Sequence, residues 1–213
     1  NYSSEWAEKV AYIPNGTRVA RFSQPDTGLE EANGRLTAMY LGAMGVTNGL
    51  DLVLAAAQII DRTEPNLLEF VFVGDGPEKA RLQQMASDLA LHNVRFHEAV
   101  PRAQVPTYAS QADLLVLVQK EVLYGSSNKL YDYMAAAKPI VFGIAADHNR
   151  PLEEAQCGIY ASPDSAKDLA EKLLQVAHMP AADRRVMGAR GHAYVTQHHD
   201  YSVLARQLAE LLD

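Results

Sequence analysis

The chain has 213 residues, 48% hydrophobic and 21% charged, which is enough apolar character to bury a sizeable core and too much for a disordered chain. Its 19 Lys and Arg against 26 Asp and Glu leave a net charge of -7, which excludes a broad nucleic-acid grip but not a local phosphate site. The single Cys157 excludes an intrachain disulfide, and no run approaches the roughly 18 apolar residues of a membrane span.

Asn1 to Glu5 do not resemble a signal peptide, and a start without Met suggests an excised piece. From there short β-rich runs alternate with helical patterns. Strands are predicted at Val10–Ile13, Thr37–Leu41, Glu69–Val73, Val94–His97, Leu114–Val118, Ile140–Phe142 and Gly158–Tyr160. Several are apolar at consecutive positions, as in Phe70 to Val73, which implies strands covered on both faces and a parallel sheet. Helices are predicted at about Gly49–Asp61, Pro77–Leu91, Gln104–Ser110 and Ser127–Ala136, with Pro77 in a first turn. Beyond Tyr160 the pattern is helical: Ser165–Ala177 with Ser165 as cap, Ala181–Tyr194 and Ser202–Leu212. The alternation predicts an α/β fold, a Rossmann-like parallel sheet flanked by helices with a helical carboxy-terminal segment, in one domain over 1–213.

Ligands of such sheets bind outside the carboxyl ends of the strands. Three segments there carry chemistry. In Gly42-Ala43-Met44-Gly45-Val46-Thr47-Asn48-Gly49, glycines would let backbone amides approach a diphosphate, although a tight turn without ligand explains them equally well. Gly74-Asp75-Gly76-Pro77 lacks the third glycine of a dinucleotide fingerprint, since Lys79 stands there, and Asp75 reads as a turn former. In Ser126-Ser127-Asn128-Lys129, hydroxyls and an amide precede a helix whose first turn carries a cation, against the helix dipole. That favours an anion site over a simple cap, and Asp132, one turn on, is placed to accept bonds from sugar hydroxyls. His198-His199-Asp200 reads as a polar helix end rather than a metal site, His97 as a surface residue, and Cys157 as a small core residue.

Ile13-Pro14-Asn15-Gly16, the glycine loop, Gly74-Asp75-Gly76-Pro77 and the run from Asn128 through Lys129-Leu130-Tyr131-Asp132-Tyr133-Met134 to Pro139 occur in family order. Together they resemble the carboxy-terminal, donor-binding domain of family 4 (group 1) GT-B glycosyltransferases. The last run is most similar to the branch that builds bacterial surface polysaccharides from N-acetylated or deoxy sugars. The resemblance implies that Gly42 and Gly45 lie against the donor diphosphate and that Ser127, Asn128 and Lys129 meet its phosphates. Asp132 takes the place of the family's ribose-binding Glu, and the loop from Phe96 through His97 and Val100 flanks the base. Tyr124 stands where the family has its first acid, which leaves Glu121 as the alternative contact to the sugar. Ala43 and Asn48 replace the family's loop Arg and Lys, and Ala137 replaces a common Gly.

The activity so implied is transfer, with retention, of a hexosyl or N-acetylhexosaminyl group from a nucleotide-diphosphate sugar, a UDP-sugar being favoured, to a glycan or lipid-linked acceptor. It needs no metal and no cofactor besides that donor. The amino-terminal acceptor domain is expected to be absent from this chain, leaving it able to bind donor but not to turn over alone. The location expected is cytoplasmic, with peripheral attachment at the inner membrane through the missing domain as a variant. A GT-B nucleotide-sugar epimerase fragment and a noncatalytic nucleotide-binding module remain as alternatives.

Overall fold

The computed structural model describes residues 11–22, 34–120, 128–145 and 150–212. The consecutive apolar runs form a parallel sheet from β1 Leu36–Leu41, β2 Leu68–Val73, β3 Val94–His97, β4 Leu114–Val118, β5 Ile140–Gly143 and β6 Gly158–Ala161. Its order is β3-β2-β1-β4-β5-β6. In the central strands β2 and β4 every residue is buried, which is why they read as unbroken apolar runs. Edge strand β3 alternates instead, with Val94 and Phe96 half-buried and Arg95 and His97 exposed.

Register pairs Leu36 with Leu68 through Leu41 with Val73, and Ala38 with Leu114 on the other side of β1. The chain thus steps outward from β1 to β3 and then returns to β4 on the opposite flank. That reversal opens a crevice at the carboxyl ends of β1 and β4, the usual place for a ligand in such sheets.

The helices are α1 Leu50–Thr63, α2 Lys79–Asp88, α3 Val105–Ser110, α4 Asn128–Ala135, α5 Pro151–Glu154, α6 Ala166–Ala177, α7 Ala181–His198 and α8 Tyr201–Glu210. Buried Leu50, Val53, Leu54, Ala56, Ala57 and Ile60 form the inner face of α1, which packs on α6. Each fully buried Leu, Val or Ile contributes roughly 1.5–3 kcal/mol by leaving water. Ser165 caps α6 as its sequence suggests, its hydroxyl accepting from the Asp168 amide at 3.1 Å.

The structure departs from the sequence reading at several places. Residues 11–13 of the run Val10–Ile13 form no strand: Tyr12 is 76% exposed and Pro14 offers no amide to a ladder, while Val10 lies outside the described residues. Pro77 precedes α2 rather than opening it, since Glu78 is the N-cap residue. α7 runs on to His198, and Asp200 then caps α8 by accepting from the Ser202 amide at 2.8 Å. His198-His199-Asp200 is therefore a junction between two helices. His199 is buried there, its ring 4.3 Å from that of Tyr131 and its Nδ1 2.9 Å from the Asn15 carbonyl.

Candidate functional site

At the carboxyl end of β1 the chain enters the loop 42–49, closes a 3-10 turn over Val46–Asn48 and starts α1. Two of the sequence's glycine segments meet here, backbone on backbone. A Cβ on Gly74 would lie 2.0 Å from the Gly42 carbonyl oxygen, and one on Gly76 would lie 2.4 Å from that of Met44. The Gly42 amide donates to Val73 at 2.9 Å and the Met44 amide to Asp75 at 2.8 Å. Asp75 accepts from the Gly76 amide at 2.7 Å, shaping the turn as its position suggests. Gly42 itself has φ +145, and a Cβ there would press on Lys129 Cε at 2.6 Å. Gly45 is different: its φ is -106 and a Cβ would meet only Asn48 at 3.4 Å. Packing does not demand a glycine at that position.

Lys129 leaves the first turn of α4 and crosses to the loop. Its amine donates to the Tyr40 hydroxyl at 2.6 Å and to Asn48 Oδ1 at 2.8 Å. Burial lowers the Lys129 pKa to about 8 and pushes that of Tyr40 up. One turn on, buried Tyr133 anchors the same helix face to β1, accepting from the Leu41 amide at 2.6 Å and donating to the Leu41 carbonyl at 3.1 Å. Asp132 is half-buried and accepts a short hydrogen bond from the Thr17 hydroxyl.

Thr17 is fixed by the helix junction, its amide donating to His199 and its carbonyl accepting from Tyr201, each at 2.9 Å. Gly16 permits this approach, because a Cβ there would lie 2.3 Å from the His199 oxygen. The residues around the Pro14 motif therefore serve the site through Asp132.

Asn128 is exposed at the start of α4, while Ser127, Tyr124 and Glu121 lie outside the described residues. Phe96 continues an aromatic row across the sheet. Tyr40 and Phe72 tilt together at 6.3 Å, and Phe72 stacks on Phe96 at 5.0 Å. Phe96 also lines a groove of about 450 Å³ against α2. His97 is exposed, and its carbonyl accepts from the Gly74 amide and the Lys79 amine, each at 3.3 Å. Val100 is half-buried in the loop that follows.

Sequence reasoning missed two cations. Lys79, at the missing fingerprint glycine, is buried and pairs with Glu98 at 2.8 Å, tying the loop after β3 to α2. Lys120 follows β4 and packs on Gly49, where a Cβ would lie 3.0 Å from its Cγ, and its amine is 2.7 Å from Asp51 of α1. Lys129 is therefore not alone at the loop. Neither partnership has a local signature, because the pairs join different strands and helices. Among the described residues no group of three His, Cys, Asp or Glu side chains forms a metal site. No helix of these residues is long and apolar enough to cross a membrane.

The family model for "Glycosyl transferases group 1" matches residues 35–179. A relative in Escherichia coli (strain K12), named as the colanic acid biosynthesis glycosyl transferase WcaI, is 32% identical over 122 residues, covering 54% of this chain and 29% of its own length. Among solved structures, Anabaena Alr3699/HepE in complex with UDP has a TM-score of 0.78 at 20% identity, over 97% of this chain and 58% of its own. WaaG, a glycosyltransferase of lipopolysaccharide biosynthesis, gives 0.74 at 16% identity, over 94% and 56%. Staphylococcus aureus TarM, crystallised with UDP among its ligands, gives 0.71 at 15% identity, over 96% and 38%. The chain spans less than a third of WcaI and between about a third and three fifths of these three structures.

Proposed function

Because the chain belongs to the group 1 glycosyl transferases, we propose that it is the donor-binding half of a retaining enzyme that moves a hexosyl or N-acetylhexosaminyl group from a nucleotide-diphosphate sugar to a glycan or lipid-linked acceptor. One observation carries the proposal: the Lys129 amine lies 2.6 Å from the Tyr40 hydroxyl beside the glycine loop, in the crevice at the strand-order reversal. Gly42 and Gly45 then lie against the diphosphate, and Ser127, Asn128 and Lys129 meet its oxygens. Asp132 takes the ribose, and Phe96, His97 and Val100 flank the base. For the sugar, Tyr124 takes the place of the family's first acid and Glu121 is the alternative contact.

The bond that breaks joins the anomeric carbon to the diphosphate, the acceptor hydroxyl oxygen bonds the same face of the sugar, and its proton passes to the departing diphosphate. Negative charge gathers on the departing diphosphate, where loop amides and Lys129 stabilise it without metal or cofactor. UDP in the HepE and TarM structures supports a UDP-sugar donor, and the resemblance to WcaI supports a role in bacterial polysaccharide synthesis. The acceptor site belongs to an amino-terminal domain outside this chain, so the chain binds donor without turnover. Exposed Tyr201, Leu208, Leu211 and Leu212 on and just beyond α8 offer an apolar face for such a partner.

Titration of the chain with UDP and with uridine tests this. Lys129→Ala is expected to weaken UDP roughly 10–100-fold while uridine changes little, since a charge-assisted bond is lost. Equal weakening of both removes Lys129 from the phosphates. No UDP binding at millimolar concentration points instead to a noncatalytic module. Release of free epimerised sugar by the full-length protein points to an epimerase.

A further inference from the structure

Resting on the donor-site proposal above, we infer that Tyr40 and Asn48 are positioning residues that hold the Lys129 ammonium over the glycine loop and leave its remaining hydrogen for the donor diphosphate. The loop 42–49 carries no charged side chain of its own, so its cation must come from another element. The Ala43 carbonyl organises the delivery. It accepts from the Tyr40 hydroxyl at 2.5 Å and from Asn48 Nδ2 at 3.0 Å. A phenol has one proton, and Tyr40 commits it to Ala43, so the phenol oxygen faces Lys129 as an acceptor. Asn48 commits its amide nitrogen to the same carbonyl, so its oxygen faces the amine, whereas the reversed amide would set two donors against each other.

Two of the three ammonium hydrogens are thereby used, and among the described residues no third acceptor is found for the last. The amine lies 4.9 Å from the Tyr40 ring centre, beyond the ring edge, so the hydroxyl oxygen rather than the π-face holds it. Gly42 completes the cradle, since a Cβ would occupy the path of the Lys129 side chain.

This arrangement makes a pH-dependent grip. Burial holds the Lys129 pKa at about 8, so above that pH a ligand that needs the charged amine must recover a proton. Affinity for such an anion falls about tenfold per pH unit there relative to a nucleoside without phosphate, which shares the titration of the base but not that of the amine. The last phosphate proton leaves near pH ~6 and does not overlap. Among the described residues the ionisable group in contact with the amine is Tyr40 of β1; Asp132 and Tyr133 follow Lys129 on α4, and the Lys120–Asp51 pair stands at the far end of the loop.

The test is calorimetric titration of the full chain with UDP and uridine between pH 7 and 9.5, with thermal unfolding to verify each variant's fold. Tyr40→Phe is expected to weaken UDP roughly 5–30-fold at pH 7.5 with uridine unchanged, and to move the midpoint of the UDP profile below 8. Asn48→Asp is expected to weaken UDP as well but to move the midpoint above that of the wild type, because a carboxylate stabilises the ammonium. Unmoved midpoints in both variants, or uridine weakened as much as UDP, overturn the inference. Wild-type chain that ignores UDP, or a Lys129→Met variant that binds it normally, overturns the donor-site proposal itself. The two failures are distinct, because the second appears without any change at Tyr40 or Asn48.

Discussion

One methyl group added at different glycines of the site should have opposite consequences. At Gly74 the backbone has φ +152, and a Cβ would lie 2.0 Å from the Gly42 carbonyl oxygen. The dihedral alone costs about 1–2 kcal/mol, and overpacking against backbone, which cannot rotate away, adds about 1–3 kcal/mol. Gly74→Ala should therefore destabilise by about 3 kcal/mol, lowering Tm by roughly 6–12 °C in a chain of this size. At Gly45, with φ -106 and its nearest neighbour at 3.4 Å, Ala fits without strain. Gly45→Ala should be neutral or stabilising by about 0.5 kcal/mol, through the stiffer unfolded chain. If the diphosphate lies against Gly45, the same variant should weaken UDP at least fivefold. Thermal and urea unfolding give the first pair of numbers, and UDP titration gives the third. Equal Tm values for the two variants would refute the backbone contact between the glycine segments, and unchanged UDP affinity in Gly45→Ala would remove that residue from the phosphates.

Ala137 follows α4 at φ 56, a left-handed conformation that costs a side-chain-bearing residue about 1 kcal/mol, so Ala137→Gly should raise Tm by roughly 2–4 °C. Tyr133→Phe leaves the buried Leu41 amide without its partner and should cost about 1–3 kcal/mol in urea unfolding; no loss would show that water or another group replaces the hydroxyl. For Lys129 the folded pKa of about 8 lies below the unfolded value of about 10.5, so between these pH values the unfolded chain binds more protons and stability rises with pH. Relative to Lys129→Met, the wild type should gain about 2 kcal/mol from pH 8 to 10 in the absence of nucleotide; a flat difference would mean the amine is solvated.

Much of the architecture is legible because it is local. Composition bounds Val94–His97 and Leu114–Val118, and its place before an amphipathic run marks the Ser165 cap. That residues 11–13, before Pro14, form no strand is not legible, because an apolar run does not reveal whether a neighbouring strand waits to pair with it. The run His198-His199-Asp200 is the polar helix end that its sequence suggests, but the burial of His199 is not legible there for a related reason. Its ring is buried by Tyr131 and Asn15, residues far away in the sequence.

By itself the sequence determined the parallel sheet, the glycine-rich strand ends, the cation at the start of α4 and a family resemblance, since each is written in adjacent residues or in short spacings. Only the tertiary structure decided which groups meet. It set Gly74 against Gly42, Thr17 on Asp132, Lys120 on Gly49 and Lys129 between Tyr40 and Asn48. Asn48 and Lys129 are 81 positions apart, and Thr17 and Asp132 are 115 apart. Side-chain chemistry constrains which partners are possible over such separations, but strand order and helix packing choose among them.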